Sequence, residues 1–483
     1  MASTARPSRQ RRPGVPGPAV APAELVVLTT ATGTEITPIA LRESRSVRAR
    51  VDELLPADTH LVPIFGPDNR LAARLADTSQ ASVAGEYLRY YTVRGQVGDL
   101  AALADRLRRD DTVAAAYVKP AAEPPLAPLA HNTVAPDAPA VTPDFRTRQG
   151  YLDAAPAGID AAWAHTRPGG LGTGVRVIDV EGAWRFTHED LRQNQGGVIG
   201  GTSSAELGWR NHGTAVAGEI SGDLNAYGVT GIAPEAHIRA ISIFGVGSAA
   251  AIRSAADALD PGDVLLIELH RPGPRFDYRG QPDQRGYIAV EWWPDDFAAI
   301  RYAVGRGIVV VEAAGNGNEN LDDPVYDARP GDFPTGWHNP FRGGDADSGA
   351  VLVGAGAPPP GLHGRDHGPA RSRLPFSNYG VRLDAQGWGR EVTTTGYGDL
   401  QGGADEDFWY TDEFSGTSSA SPIVVGAVAA YQGMRAIGPG RATPDQVRAL
   451  LRATGSPQTA APGRPVTQRI GALPDLRAMT AHG

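Results

Sequence analysis

The sequence predicts an α/β protein, built on a mainly parallel sheet with helices on both faces and preceded by a small N-terminal α/β domain. Three observations carry this. From about residue 151 onward, short continuous apolar runs alternate with helical runs, the pattern left by strands buried on both faces of a parallel sheet. Residues 25–120 form a shorter globular stretch whose second half reads strand, helix, strand. Residues 121–150 carry prolines in EPPLAPLA and APDAPAV too densely for regular structure, and read as a linker.

Residues 1–24 are Pro, Arg and small residues without periodicity, and a disordered tail is expected. Within the N-terminal domain, residues 87–95 alternate and are rich in aromatics. Leu100, Leu103 and Leu107 share one helix face, and 112–118 is extended. In the larger domain, 151–483, the clearest buried strands are 174–180, 237–244, 263–269, 307–313 and 350–355. Helices are expected to start near His212, Ser248, Asp295 and Ser418. A late helix has both ends written into it: Thr443 as N-cap, Pro444 in the first position, Gln446 to close a capping box and Gly455 as stop.

Composition excludes several classes. The 483 residues contain no cysteine, which removes disulfides, zinc-thiolate and iron-sulfur sites and thiol nucleophiles. The net charge is -9, and the basic residues, all arginine except Lys119, are scattered among acids rather than clustered as nucleic-acid binding requires. No apolar run approaches the roughly 20 residues that span a bilayer. The N-terminal segment has positive charge but no apolar stretch behind it, so neither a Sec nor a twin-arginine signal is visible and a cytoplasmic location is expected.

Three segments carry chemistry. VRVIDV places Asp179 at the carboxyl end of a strand, where open α/β sheets put their ligand sites. NHGTAVAG puts His212 at an expected helix start. FSGTSSASP puts Ser418 where a Gly-Thr turn feeds a long helix, whose N-terminal N–H groups stabilise developing negative charge. A strand-end Asp, a helix-start His and a Ser-rich cap are each common alone.

Together, and in the order Asp, His, Ser, they resemble the subtilisin-like serine proteases. VEAAGNGNEN is similar to the family's oxyanion strand, with Asn316 as side-chain donor, and HEDL at 188–191 resembles the stretch following the family's catalytic Asp. HGTAVAGEISGDLNAYGVTGIAP and FSNYGVRLDAQG have the family's shape, although Gln386 stands where proline is usual. The resemblance spans roughly 151–475. It implies a subtilisin-like fold and a serine endopeptidase with Asp179, His212, Ser418 and Asn316 as catalytic residues. It implies no cofactor for catalysis, and it assigns Asp190 and Asn225 to a structural calcium site of some members. Glu268, Leu269 and His270 fall on the family's substrate-binding strand, which usually ends in Ser, Leu and Gly.

Within the domain 25–120, the segment RYYTVRGQVGDLAALADRLRRDDTVAAAYVKP at 89–120 resembles the second half of the family's inhibitory propeptide, a ferredoxin-like unit. The implied partners are therefore a protein or peptide substrate and the chain's own N-terminal domain, acting as intramolecular inhibitor or chaperone. Cleavage is expected between Pro120 and Asp160. Val180 and Glu181 follow Asp179 where the family has Ser or Thr and then Gly, so Asp179 is expected to lack part of its usual support. That departure and the unusual substrate strand keep an inactive binding protein in view, and a shared acyl-enzyme step keeps in view an acyl-transferring macrocyclase. An acidic run, Asp405-Glu406-Asp407 with Asp412 and Glu413, is either solvated surface or a selector of basic substrates.

Overall fold

The structure, a computed structural model, describes residues 21–30, 35–66, 68–75, 81–125 and 139–483. The N-terminal domain is a four-stranded antiparallel sheet of β1 (Glu24–Thr29), β2 (His60–Pro63), β3 (Tyr90–Arg94) and β4 (Val113–Lys119), in the order β2-β3-β1-β4. Strand alternation gives it two apolar faces. Leu25 and Val27 of β1 pack with Val51, Leu103 and Leu107 of the helices Pro38–Asp52 and Leu100–Leu107. Val26 and Leu28 turn the other way and join the core of the larger domain, together with Ile252 and Tyr302. The sheet is therefore sandwiched between its own helices and the second domain.

The larger domain is built on seven parallel strands: β5 (Arg176–Glu181), β6 (Gln195–Gly200), β7 (His237–Ser242), β8 (Val264–Ile267), β11 (Val309–Ala313), β12 (Val351–Gly356) and β13 (Ala385–Trp388). Their order is β13-β12-β11-β8-β5-β7-β6. Val177 faces the helices Leu207–Ser221 and Thr417–Ala436, and Ile178 and Val180 face Ser248–Asp257 and Pro294–Gly305. Two antiparallel pairs lie outside this sheet, β9 (His270–Pro272) with β10 (Tyr287–Ala289), and β14 (Val392–Thr395) with β15 (Tyr410–Phe414). The helix Pro444–Thr454 has Thr443 as N-cap, both capping-box bonds and Gly455 at its end.

Three expectations need correction. The helix bearing His212 starts five residues earlier, at Leu207, so the imidazole projects from its second turn and not from its start. Glu24, assigned to the disordered tail, opens β1, where its backbone pairs with Lys119 of β4 and its carboxylate meets Arg271; residues 1–20 lie outside the described residues. The linker is not featureless along its length: Glu123 pairs with His270, and residues 139–150 pack on the larger domain, where Phe145 meets Tyr410 at 5.1 Å and Asp144 pairs with Gly228. Proline density forbids a continuing ladder but not single bridges onto a neighbouring strand.

Candidate active site

β5 ends in Asp179-Val180-Glu181, and because side chains alternate along a strand, both acids point to the same face. The helix Leu207–Ser221 brings His212 over that face. The imidazole meets Glu181 and not Asp179: His212 Nδ1 lies 2.8 Å from Glu181 Oε2. Asp179 Oδ2 instead accepts from Trp184 Nε1 at 2.7 Å. All three side chains are fully buried.

The two carboxyls contact each other, and neither Asp179 Oδ1 nor Glu181 Oε1 has another donor among the described residues. Burial pushes both well above the carboxylate range, and the Glu181 charge adds to the effect on Asp179. A single proton held between the two would satisfy both orphan oxygens and leave one negative charge beside the imidazole. Glu268, expected to bind substrate, lies beside this pair; burial raises it as well, reinforced by Asp179, Glu181 and Glu219.

Burial drives the imidazole of His212 down to about 3, against the opposing charge of Asp179. His270, also about 3, and His188, about 4, are lowered mainly by burial too. In the unfolded chain each protonates near 6.5. Their contribution to stability is therefore intact above that value and is lost as pH falls from about 6.5 toward 3. Following the imidazole resonances by NMR during acid titration of a Ser418→Ala protein should show these rings neutral at pH 5.

Ser418 sits at the second position of the helix Thr417–Ala436. Its Oγ donates to the carbonyl of Pro125 at 2.8 Å, while His212 Nε2 has no hydrogen-bond partner among the described residues. Asn316 follows the end of β11. Its Oδ1 accepts from the Thr417 N–H at 2.9 Å and hydroxyl at 3.0 Å, which turns Nδ2 away from Thr417. Gly416 has φ +125°, and a Cβ there would lie 2.1 Å from the Pro125 oxygen, 2.9 Å from Ser418 Oγ and 3.2 Å from Asn316 Nδ2. The absent side chain is what admits the Pro125 carbonyl between serine and asparagine.

Of the substrate-strand residues, His270 pairs with Glu123, N–H to carbonyl in both directions at 3.1 Å. Leu269 is buried in the core. The calcium expectation fails on its donors. Asn225 Oδ1 accepts from the Tyr227 N–H at 2.9 Å, so its amide nitrogen faces Asp190 Oδ1 at 2.6 Å. Asp190 Oδ2 accepts from the Val229 N–H at 2.6 Å and from the Tyr410 hydroxyl at 3.3 Å. Burial raises this carboxyl to about 7, although those hydrogen bonds oppose it. A cation needs oxygens with free lone pairs, and here a donor stands in their place. Millimolar calcium or a chelator should leave the melting temperature of the Ser418→Ala protein unchanged. The acidic run is likewise occupied: Asp407 binds Arg185 at 2.6 Å, Glu406 binds Arg210 at 2.5 Å, and Asp412 and Glu413 bind Arg148 and Arg365.

The sequence model of the subtilase family matches residues 183–471, more than half of the chain. The chain belongs to the subtilase family. As a subtilase it is a subtilisin-like serine protease, and it is 29% identical to subtilisin BL of Lederbergia lenta over 277 residues, covering 56% of this chain and 80% of that protein. A calcium-dependent protease of Trichormus variabilis is 29% identical over 292 residues, covering 56% of this chain and 40% of the other. Among solved structures, fervidolysin from Fervidobacterium pennivorans, a keratinolytic enzyme related to subtilisin, superposes with a TM-score of 0.53 at 19% identity. That match covers 98% of this chain and 62% of fervidolysin, and it supports the fold. The family match begins after both Asp179 and Glu181, so the choice between them rests on the geometry of this subtilase. Sequence reasoning missed Glu181. The signal for it was the D-x-E spacing, which puts two acids on one face of one strand.

Proposed function

We propose that the chain is a serine endopeptidase working through Ser418, His212 and Glu181, with Asn316 as oxyanion donor and Asp179 supporting Glu181. Residues 24–125 act as its tethered inhibitor. The observation that carries this is the Pro125 carbonyl, which meets the Ser418 hydroxyl at 2.8 Å beside the Asn316 amide. A peptide carbonyl in that place is where a scissile bond would lie.

The steps follow from the atoms present. As the Ser418 Oγ–C bond forms, the hydroxyl proton passes to His212 Nε2, which has no competing partner among the described residues. Glu181 holds Nδ1–H and balances the imidazolium. The oxyanion falls to the Asn316 amide and the N-terminus of the Ser418 helix. The proton on Nε2 then goes to the leaving nitrogen as the C–N bond breaks, and water releases the ester by the reverse relay. None of these steps calls on a cofactor.

The inhibitor role rests on the strand-like pairing of Glu123 with His270 and on the buried face that β1 and β4 share with the larger domain. The test is a fluorophosphonate probe with intact mass, on wild type and Ser418→Ala, before and after limited proteolysis within residues 126–138. Label on wild type alone is the expected result. A folded wild type that takes no label even after proteolysis would make the chain a binding protein.

A further inference from the structure

The segment in the cleft specifies which peptides fit it. We propose that the S1 subsite takes proline and the S3 subsite takes glutamate, so that the enzyme cleaves after Glu-Pro-Pro sequences, beginning with its own Pro125–Leu126 bond. This rests on the serine-peptidase reading above.

Register is set by two contacts. The two-way pairing of Glu123 with His270 lays residues 121–125 antiparallel to β9, and the Pro125 carbonyl on Ser418 makes residue 125 the one before the scissile bond. His270 then decides what S1 admits. Its ring is fully buried, Nδ1 accepts from the backbone N–H of Asn316 at 3.3 Å, and its centroid lies 4.6 Å from Tyr287. The imidazole thus fills the space between the strand that holds Glu123 and the loop that supplies the oxyanion donor. A long P1 side chain needs that volume and a pyrrolidine ring does not.

Pro124 and Pro125 are both buried, and neither has an N–H to satisfy there. Two consecutive prolines also arrive already extended, so little entropy is lost on binding. The Pro124 carbonyl is taken by Gln284 Nε2 at 3.1 Å. At P3, Glu123 Oε1 accepts from the Tyr287 hydroxyl at 2.8 Å, and burial together with this carboxylate keeps Tyr287 protonated as a donor. At P4, Ala122 is fully buried.

In the self-reaction Ser418 adds to the Pro125 carbonyl carbon and the C–N bond to Leu126 breaks. The nitrogen takes the proton from His212, and water then yields a Pro125 carboxylate and free Ser418. The experiment begins with intact mass of the wild-type chain, where a product spanning residues 126–483 is expected and a product starting elsewhere overturns the assignment. Peptides of the form Ala-Glu-Pro-Pro-Leu, varied at P1 (Pro, Phe, Arg) and at P3 (Glu, Gln, Lys), are then compared by kcat/KM.

Pro at P1 should exceed Phe and Arg by at least about tenfold, a difference of ~1.4 kcal/mol, and Glu at P3 should exceed Lys by a similar factor. Tyr287→Phe should weaken the P3 preference several-fold, leaving the long Gln284 Nε2 contact to Glu123 Oε2 at 3.5 Å, and leave the P1 preference in place. His270→Gly should raise cleavage after Phe. Fastest cleavage after Phe or Arg by wild type, or a P3 preference undiminished in Tyr287→Phe, would overturn the proposal. Fluorophosphonate labelling of Ser418 in the same samples separates that result from failure of the peptidase reading, which would give no label.

Discussion

Glu181→Gln should lower kcat by about 10⁴, the loss seen when a triad carboxylate is replaced by its amide, whereas Asp179→Asn should cost no more than about tenfold. The asymmetry follows from which oxygen meets the imidazole. His212 Nδ1 is 2.8 Å from Glu181 Oε2, while Asp179 Oδ2 is committed to the Trp184 indole. A glutamine at 181 can neither carry the charge that balances an imidazolium nor be relied on to present oxygen to Nδ1–H. An asparagine at 179 can replace the shared proton with an amide N–H donated to Glu181, which preserves the pair and keeps the charge on Glu181. Rates are to be compared on one peptide substrate after the same proteolytic activation of all three proteins. The downfield Nδ1 proton of His212 should be lost from the NMR spectrum of Glu181→Gln and kept in Asp179→Asn. The reverse ranking would return the orienting role to Asp179.

Lys119→Met should destabilise the Ser418→Ala protein by about 3–5 kcal/mol, the range found when one member of a buried ion cluster is removed. The lysine of β4 is fully buried at the junction of the two domains. Nζ lies 2.5 Å from Asp295, 3.1 Å from Asp296 and 2.9 Å from the Ser248 hydroxyl, with Glu24 at 3.6 Å. Burial raises Asp296 to about 7 even with Lys119 opposing it, whereas Lys119 and Arg271 overcome the burial of Glu24 and hold it at about 2. Methionine fills similar volume but leaves two buried acids at the start of the helix Pro294–Gly305 with the hydroxyls of Tyr117 and Ser248 and, as the remaining cation among the described residues within 4 Å, Arg271. Equilibrium denaturation in urea is the measurement, and an unchanged midpoint would mean that these acids simply bind protons when the lysine is lost.

Much of this molecule was legible in the chain. Apolar runs such as those of β8 and β11 are strands because both of their faces are buried, and continuous hydrophobicity records that directly. The helix Pro444–Thr454 was readable to the residue because caps are local chemistry. Ser418, His212 and Asn316 stood in segments whose residue types and order are distinctive. The start of the His212 helix was misread because its first turn, from Leu207, has no capping side chain to mark it.

What the sequence by itself determined, then, is what depends on near neighbours: the strands, the capped helices, the division at the proline-rich stretch and the candidate nucleophile and base. Which of two acids on one strand face meets His212 was decided by tertiary structure, because it turns on the direction from which the helix Leu207–Ser221 crosses β5 and on an indole that claims Asp179 first. The same holds for Asp190, whose lone pairs are taken by Asn225, Val229 and Tyr410 far along the chain, and for Pro125, which is 293 residues from the serine it touches. Contacts at such separations leave no periodic trace in a sequence, since each is fixed by the packing of the whole sheet.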